Sequence, residues 1–332
     1  MKFAIVLPGK SIPPHIVDCL KEQPARSGFY NWLFAFKGEI KTWETIKDNL
    51  EEYDVLQVNM SPVDMMLVPE IRRKLGRSSS TKLVLNNDYV CEYWDNWRID
   101  PFRYEQIQRE GDMVFGTEKH QVSQMIKGSF CMPHPSNTKI LKRFGVDPLS
   151  KKNSIGVICH WWAQSNLHAY NTARWVKEEY GLDEINAYGY SKKEPMERYS
   201  GVMYNNIYDL MDFPSFLTMI QQEKILYDPN PFHTYGRNGV EAACLKMPVV
   251  GSDRVFSYSK LFPSLVCDPY DRCATMSKFK LAMDEKKVGD WLDFAYQEVE
   301  YFNYENSKAR YMTALEESER RGGYEWYQKQ TL

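Results

Sequence analysis

The sequence predicts an α/β protein made of two doubly wound, Rossmann-like domains. Short, continuous apolar runs rich in Val, Ile and Leu alternate with helix-like patterns, first up to about residue 135 and again from residue 154. Between the two series lies an aperiodic stretch of prolines, serines and lysines. At 332 residues the chain also exceeds the size at which one hydrophobic core usually keeps growing. A run that is apolar at every position marks a strand covered on both faces, as in a parallel sheet whose crossovers are helices.

In the first series the expected strands are FAIVL (3–7), YDVLQV (53–58), KLVLN (82–86) and DMVFG (112–116), each ending at Gly, Asn or Pro. Helix-like segments IPPHIVDCLKEQ, TWETIKDNLEE, MLVPEIRRKLG and TEKHQVSQMIKG connect them. PHPSNT and GVDPLSKKN then read as a linker. The second series runs through SIGVICHWW (154–162), helical NTARWVKEEYG, EINAYGY (184–190), helical PSFLTMIQQ and KILYDPN (224–230). HTYGRNGVEAACLKMPVVGSD (233–253), SLVCDPYD (264–271) and an amphipathic helical tail complete it. The expected division is a domain over 1–140, a linker over 141–153, a second domain over 154–289 and C-terminal helices over 290–332. Two such domains joined by a hinge imply a cleft, and open α/β sheets bind ligands beyond the carboxyl ends of their strands.

Composition narrows the classes of function. A net charge of −2 leaves no overall electrostatic footprint for nucleic acid or anionic membrane, although a local basic groove stays open. The 22 Tyr and 9 Trp serve a core or make platforms for sugars and bases. Seven cysteines (Cys19, Cys91, Cys131, Cys159, Cys244, Cys267, Cys273) form no C-x-x-C pair and read as buried free thiols in a reducing cytosol. MKFAIVLPGK reads as a first strand, and no run reaches the roughly 20 apolar residues of a membrane span, so a soluble cytoplasmic protein is expected.

Several motifs fail on inspection. Gly9-Lys10-Ser11 has the end of a phosphate-binding P-loop, but Ala4 stands where its first glycine belongs and Pro13-Pro14 where its helix starts. Gly9 still permits a ligand to approach the backbone closely. The six histidines include no H-x-x-x-H pair, no D-x-D occurs, and no G-x-S-x-G elbow is present. No metal site is therefore expected, and a diphosphate would be neutralised by cationic side chains and helix N-termini.

In 228–253, Asp228-Pro229-Asn230 closes a strand, and a polar loop with Gly236 and Gly239 leads into a helix expected to start near Asn238. One reading of Asn238-x-x-Glu241 is a capping box in which the glutamate reaches back to the cap's backbone N–H. In the other, Glu241 accepts hydrogen bonds from the two vicinal hydroxyls of a ribose. Gly236, Arg237, Asn238 and Gly239 then face a diphosphate, because a guanidinium and helix N–H groups suit phosphate.

This strand, Pro-Asn, polar glycine loop, Glu, small-residue helix and PVVGSD resembles the donor-binding segment of GT-B-fold glycosyltransferases. It is most similar to the large retaining family with a Glu-x7-Glu pattern. The resemblance implies two Rossmann-like domains facing across a cleft. It also implies transfer from a nucleotide sugar, a UDP-sugar being the expected co-substrate, with no cofactor or metal and with retention of configuration. The ribose-binding glutamate falls on Glu241, whereas His233 stands where the family has its first acidic residue. CHWWAQSNLH lacks the family's Arg and Lys after the first strand of the second domain, leaving His160 as the candidate there and Arg237 for part of the diphosphate contact. DMVFGTEKHQVSQM and CMPHPSNTKILKRFG resemble first-domain segments of the family more loosely.

His233 and His160 are thus the candidates near donor or acceptor, with Asp88, His120 or Glu118 to orient or deprotonate an acceptor hydroxyl. Each of these, and Lys10, has an ordinary reading as cap, packing or surface residue. YVCEYWDNWRIDPFRY (89–104), with Arg98 and Arg103, reads as helical core or as an acceptor platform, and GFYNWLFAF (28–36) as core. The acceptor is left open among saccharide, lipid, protein and modified DNA base. A sugar-nucleotide epimerase and a non-catalytic ligand-binding protein are the competing classes.

Overall fold

The computed structural model describes residues 1–21, 27–76, 78–88, 100–145, 151–159, 163–189, 204–208 and 211–329. They form two compact units. The first comprises Met1–Asn137, His233–Tyr235 and Tyr301–Leu332; the second comprises Thr138–Phe232 and Gly236–Glu300.

The sheet of the first unit contains β1 (Phe3–Leu7), β2 (Glu39–Thr42), β3 (Val55–Asn59), β4 (Lys82–Asn87), β5 (Met113–Gly116) and β6 (Phe130–Cys131). Its order is β2-β1-β3-β4-β5-β6, every pair parallel. β1 is buried along its whole length, as a run of FAIVL needs if both faces are covered. One face packs Leu56, Val58, Leu83 and Leu85 against Ile71 and Ile107 of the helices Val68–Leu75 and Pro101–Gln108. The other packs Phe3, Ile5, Val84 and Phe115 against Trp32, Phe36 and Tyr311.

The patch 28–36 is core, as its apolar density predicts. The ring of Trp32 lies 5.1 Å from Tyr311 and 5.8 Å from Phe115, and Phe36 stacks 4.7 Å from Phe3. Tyr311 belongs to the helix Tyr304–Arg321, so the C-terminal helix closes this face. On the opposite side, buried Arg72 pairs with Asp112 at 2.7 Å while its Nε donates to the Glu110 carbonyl. Asp112 also accepts the Leu83 N–H, which leaves the pair well satisfied.

The second unit contains β7 (Ser154–Cys159), β8 (Glu184–Gly189), β9 (Asn206–Tyr208), β10 (Ile225–Asp228), β11 (Val249–Ser252) and β12 (Val266–Cys267). Their order is β12-β11-β10-β7-β8-β9, all parallel. Counted outward from β7, this is the doubly wound order of dinucleotide-binding sheets, reversing between β7 and β10. In the first unit the reversal falls between β1 and β3. At the amino edge of the second sheet, buried Glu223 accepts hydrogen bonds from Asn186 (3.0 Å), Tyr188 (2.5 Å) and Ser154. Lys151 donates to the Glu223 carbonyl at 3.4 Å, and burial pushes its ammonium down to about 8.

The elements differ from expectation mainly at the sheet edges. β2 and β9 were not anticipated, and SLVCDPYD supplies only the two residues of β12. Residues 89–99 of the aromatic stretch, and His160, Trp161 and Trp162, lie outside the described residues. Phe102, at the start of the helix Pro101–Gln108, is exposed. Among the described residues no helix is long and apolar enough to cross a membrane.

Candidate active site

In the second unit the motif leaves the carboxyl end of β10, beside the point where strand order reverses. Asp228 ends the strand fully enclosed and accepts from Tyr258 OH at 2.6 Å and Asn238 Nδ2 at 3.3 Å. Asn238 therefore ties its helix to β10. Asn230 turns the chain by accepting the Phe232 N–H at 3.0 Å. The helix Arg237–Cys244 begins behind Gly236, which is its N-cap at φ +72°. A Cβ on Gly236 would fall 1.9 Å from a methyl of Val255, and one on Gly239 would fall 2.2 Å from Ser257 Oγ. The two glycines thus permit the left-handed turn and the close approach of the next helix, Phe256–Leu261.

This geometry corrects the capping-box reading. Asn238 is the second helical residue, and the cap, being glycine, offers no side-chain bond. Glu241 lies one turn in, wholly buried, with Oε1 2.5 Å from Arg237 Nε. The Arg237 guanidinium in turn lies 4.8 Å from the ring centre of Phe213. A buried carboxylate one turn in is thus held beside a cation that opens the helix, where the N-terminal backbone already carries partial positive charge.

A second cation in this region escaped the sequence reading. Arg254 follows β11, donates to the Pro231 carbonyl at 2.8 Å and keeps 31% of its side chain exposed beside Asp268. Its signal was its place immediately after PVVGSD. His160 follows the end of β7 in the chain and lies outside the described residues.

The first unit gathers the remaining candidates at the carboxyl edge of its sheet. Gly9 follows β1 at φ +91° with open space where a side chain would stand. Glu118 caps a helix, accepting the backbone N–H groups of His120 and Gln121, which is the ordinary one of its two readings. His120 is exposed, and its imidazole stacks on that of His233 at 4.0 Å and 21°. Asp88, just past β4, bonds through Oδ1 to Nε2 of His134 at 2.5 Å. His134 was not anticipated, because 46 residues separate it from Asp88.

Burial raises the thiols of Cys131 to about 11 and of Cys159 to about 12, so neither is an activated nucleophile. Among the described residues no group of three or more His, Cys, Asp or Glu could hold a metal ion.

No protein-family profile matches the sequence, and no curated protein matches it. Solved structures do match in fold. A trehalose-6-phosphate synthase, OtsA, superposes with a TM-score of 0.72 at 9% identity, over 95% of this chain and 99% of that one. An α-glucosyltransferase in complex with UDP and a mismatched 13-mer DNA gives 0.63 at 10%, over 95% and 99%. HepE of Anabaena, in complex with UDP and glucose, gives 0.62 at 11%, over 96% and 100%. The fold is that of the GT-B class: two Rossmann-like domains, each built on a parallel sheet.

Proposed function

We propose that the protein is a glycosyltransferase that moves a sugar from a nucleotide-sugar donor, a UDP-sugar foremost, to an acceptor hydroxyl. The observation that carries this reading is Glu241. It is a wholly buried carboxylate in a helix that starts, behind Gly236, at the switch point of a doubly wound sheet. Such switch points are where α/β sheets take nucleotides. The UDP in the complexes of the α-glucosyltransferase and of HepE supports the choice of nucleotide.

In this reading the ribose hydroxyls take the Glu241 carboxylate, whose Oε1 lies against Arg237, and the guanidinium turns to the diphosphate. Gly236, Gly239 and the N–H group of Asn238 line the approach to the phosphates. As the bond from the anomeric carbon to the diphosphate breaks, the electron pair stays on phosphate oxygen. Arg237 and the helix start stabilise that charge, so no metal is required. His233 takes the donor-sugar position by its place in the motif, and His160 the position after β7. Asp88, His120 and the loop at Gly9 serve the acceptor. Retention of configuration is the course implied by the resemblance to the Glu-x7-Glu family.

The reading is tested by calorimetric titration of the protein with UDP, GDP, ADP and CMP, with and without EDTA. Selective binding of UDP that survives EDTA is expected. Binding that disappears with EDTA and returns with a divalent cation would overturn the metal-free mechanism, and no binding of any nucleotide would overturn the donor site.

A further inference from the structure

We infer that Asp88, held in place by His134, is the group that receives the acceptor's hydroxyl. The inference rests on the transferase reading and names a residue pair for its acceptor side. His134 is 2% exposed, while the side chain of Asp88 keeps 29% of its surface, so the carboxylate faces outward and the imidazole stands behind it. A Cβ on Gly28 would come 2.6 Å from the imidazole, and the ring of Tyr235 meets it edge-on at 5.5 Å. The imidazole is therefore clamped on two sides. Its Nδ1 is buried and has no hydrogen-bond partner among the described residues. The tautomer that fits has its proton on Nε2, donated to Asp88 Oδ1. A ring fixed in this way does one thing for the carboxylate: it sets the direction of the other oxygen.

The chemistry of the surrounding edge favours a neutral partner. Asn86 lies two residues before Asp88, in register with Asn59 of β3, and Gln57 precedes Asn59 on the same face. Gln57 and Asn86 are both 0% exposed, and neither side chain has an amide atom bonded among the described residues. Both stand enclosed behind the edge; the group that faces outward is the Asp88 carboxylate, which accepts from hydroxyls and repels phosphate and carboxylate groups. The structure assigns to this edge a neutral, hydroxyl-bearing acceptor such as a sugar or polyol.

The test is ligand-observed NMR on the UDP-loaded protein. The probes are methyl glucosides, methyl galactosides and glycerol, with glucose 6-phosphate as the anionic counterpart. At least one neutral probe is expected to bind the wild type. Asp88→Asn should weaken that binding about tenfold or more, the scale of a charge-assisted hydrogen bond, with UDP affinity unchanged. His134→Gln, which keeps an N–H donor, should retain more binding than His134→Leu, which a purely packing role would not predict. Equal binding by Asp88→Asn and wild type, tighter binding of glucose 6-phosphate, or no neutral probe bound would each overturn the inference while leaving the donor site standing. Failure of the wild type to bind UDP would instead remove the transferase reading itself.

Discussion

At Gly236 two demands meet. The backbone sits at φ +72°, and Val255 occupies the space where a Cβ would stand. Gly236→Ala must therefore strain the turn and displace the neighbouring helix. We expect a loss of roughly 2–4 kcal/mol, read as a lower urea midpoint with an unchanged slope. A variant as stable as wild type would show that the turn is not built as described. Gly236, Arg237, Gly239 and Glu241 could be singled out from the sequence because they lie within six residues and their spacing is itself the signal. The pairing of Asp88 with His134 could not, since it depends on the ends of β4 and β6 coming to the same edge. Arg237 and Glu241 were read as two independent ligand contacts. Their i, i+4 spacing on the helix makes them partners first.

Among the elements, the amino edge of the second sheet yields a pH prediction. Lys151 is held down to about 8, against an ordinary 10.5, by burial. A lysine depressed in the folded state opposes folding while it is protonated, and that cost disappears as pH rises from the folded value towards the unfolded one. Lys151→Met should therefore be more stable than wild type near neutrality, with an advantage that shrinks between pH 8 and 10.5 by at most about 3 kcal/mol. Thermal or urea unfolding of both proteins across that range checks the sign; a constant difference would contradict it.

The central strands were legible because FAIVL or IGVIC can only be covered on both faces. The edge strands β2 and β9 were not, because they are half-exposed and only four and three residues long. Such a strand carries too little apolar patterning to stand out from a loop. The helix of the motif started earlier than expected for a related reason. Its cap is a glycine, which supplies geometry rather than the side-chain hydrogen bond that a sequence pattern reveals.

At the scale of the whole molecule, two parallel sheets with different strand orders are described, and each has its switch point beside a glycine-bearing loop. Gly9 follows β1 in the first unit, and Gly236 follows β10 in the second. The fold class could be read from the alternation of apolar runs and helices alone. The division of labour we propose, donor on the second unit and acceptor on the first, is argued from the chemistry of those loops. The central claim is that Glu241 binds the ribose of the donor nucleotide. Its most direct test is calorimetric titration of wild type and Glu241→Gln with UDP, with the melting temperature of each recorded alongside because the substitution also removes the charge paired with Arg237. We predict that the folded variant binds UDP about 5- to 150-fold more weakly, the equivalent of one lost charged hydrogen bond of about 1–3 kcal/mol. A folded Glu241→Gln protein that binds UDP as tightly as wild type would contradict the account.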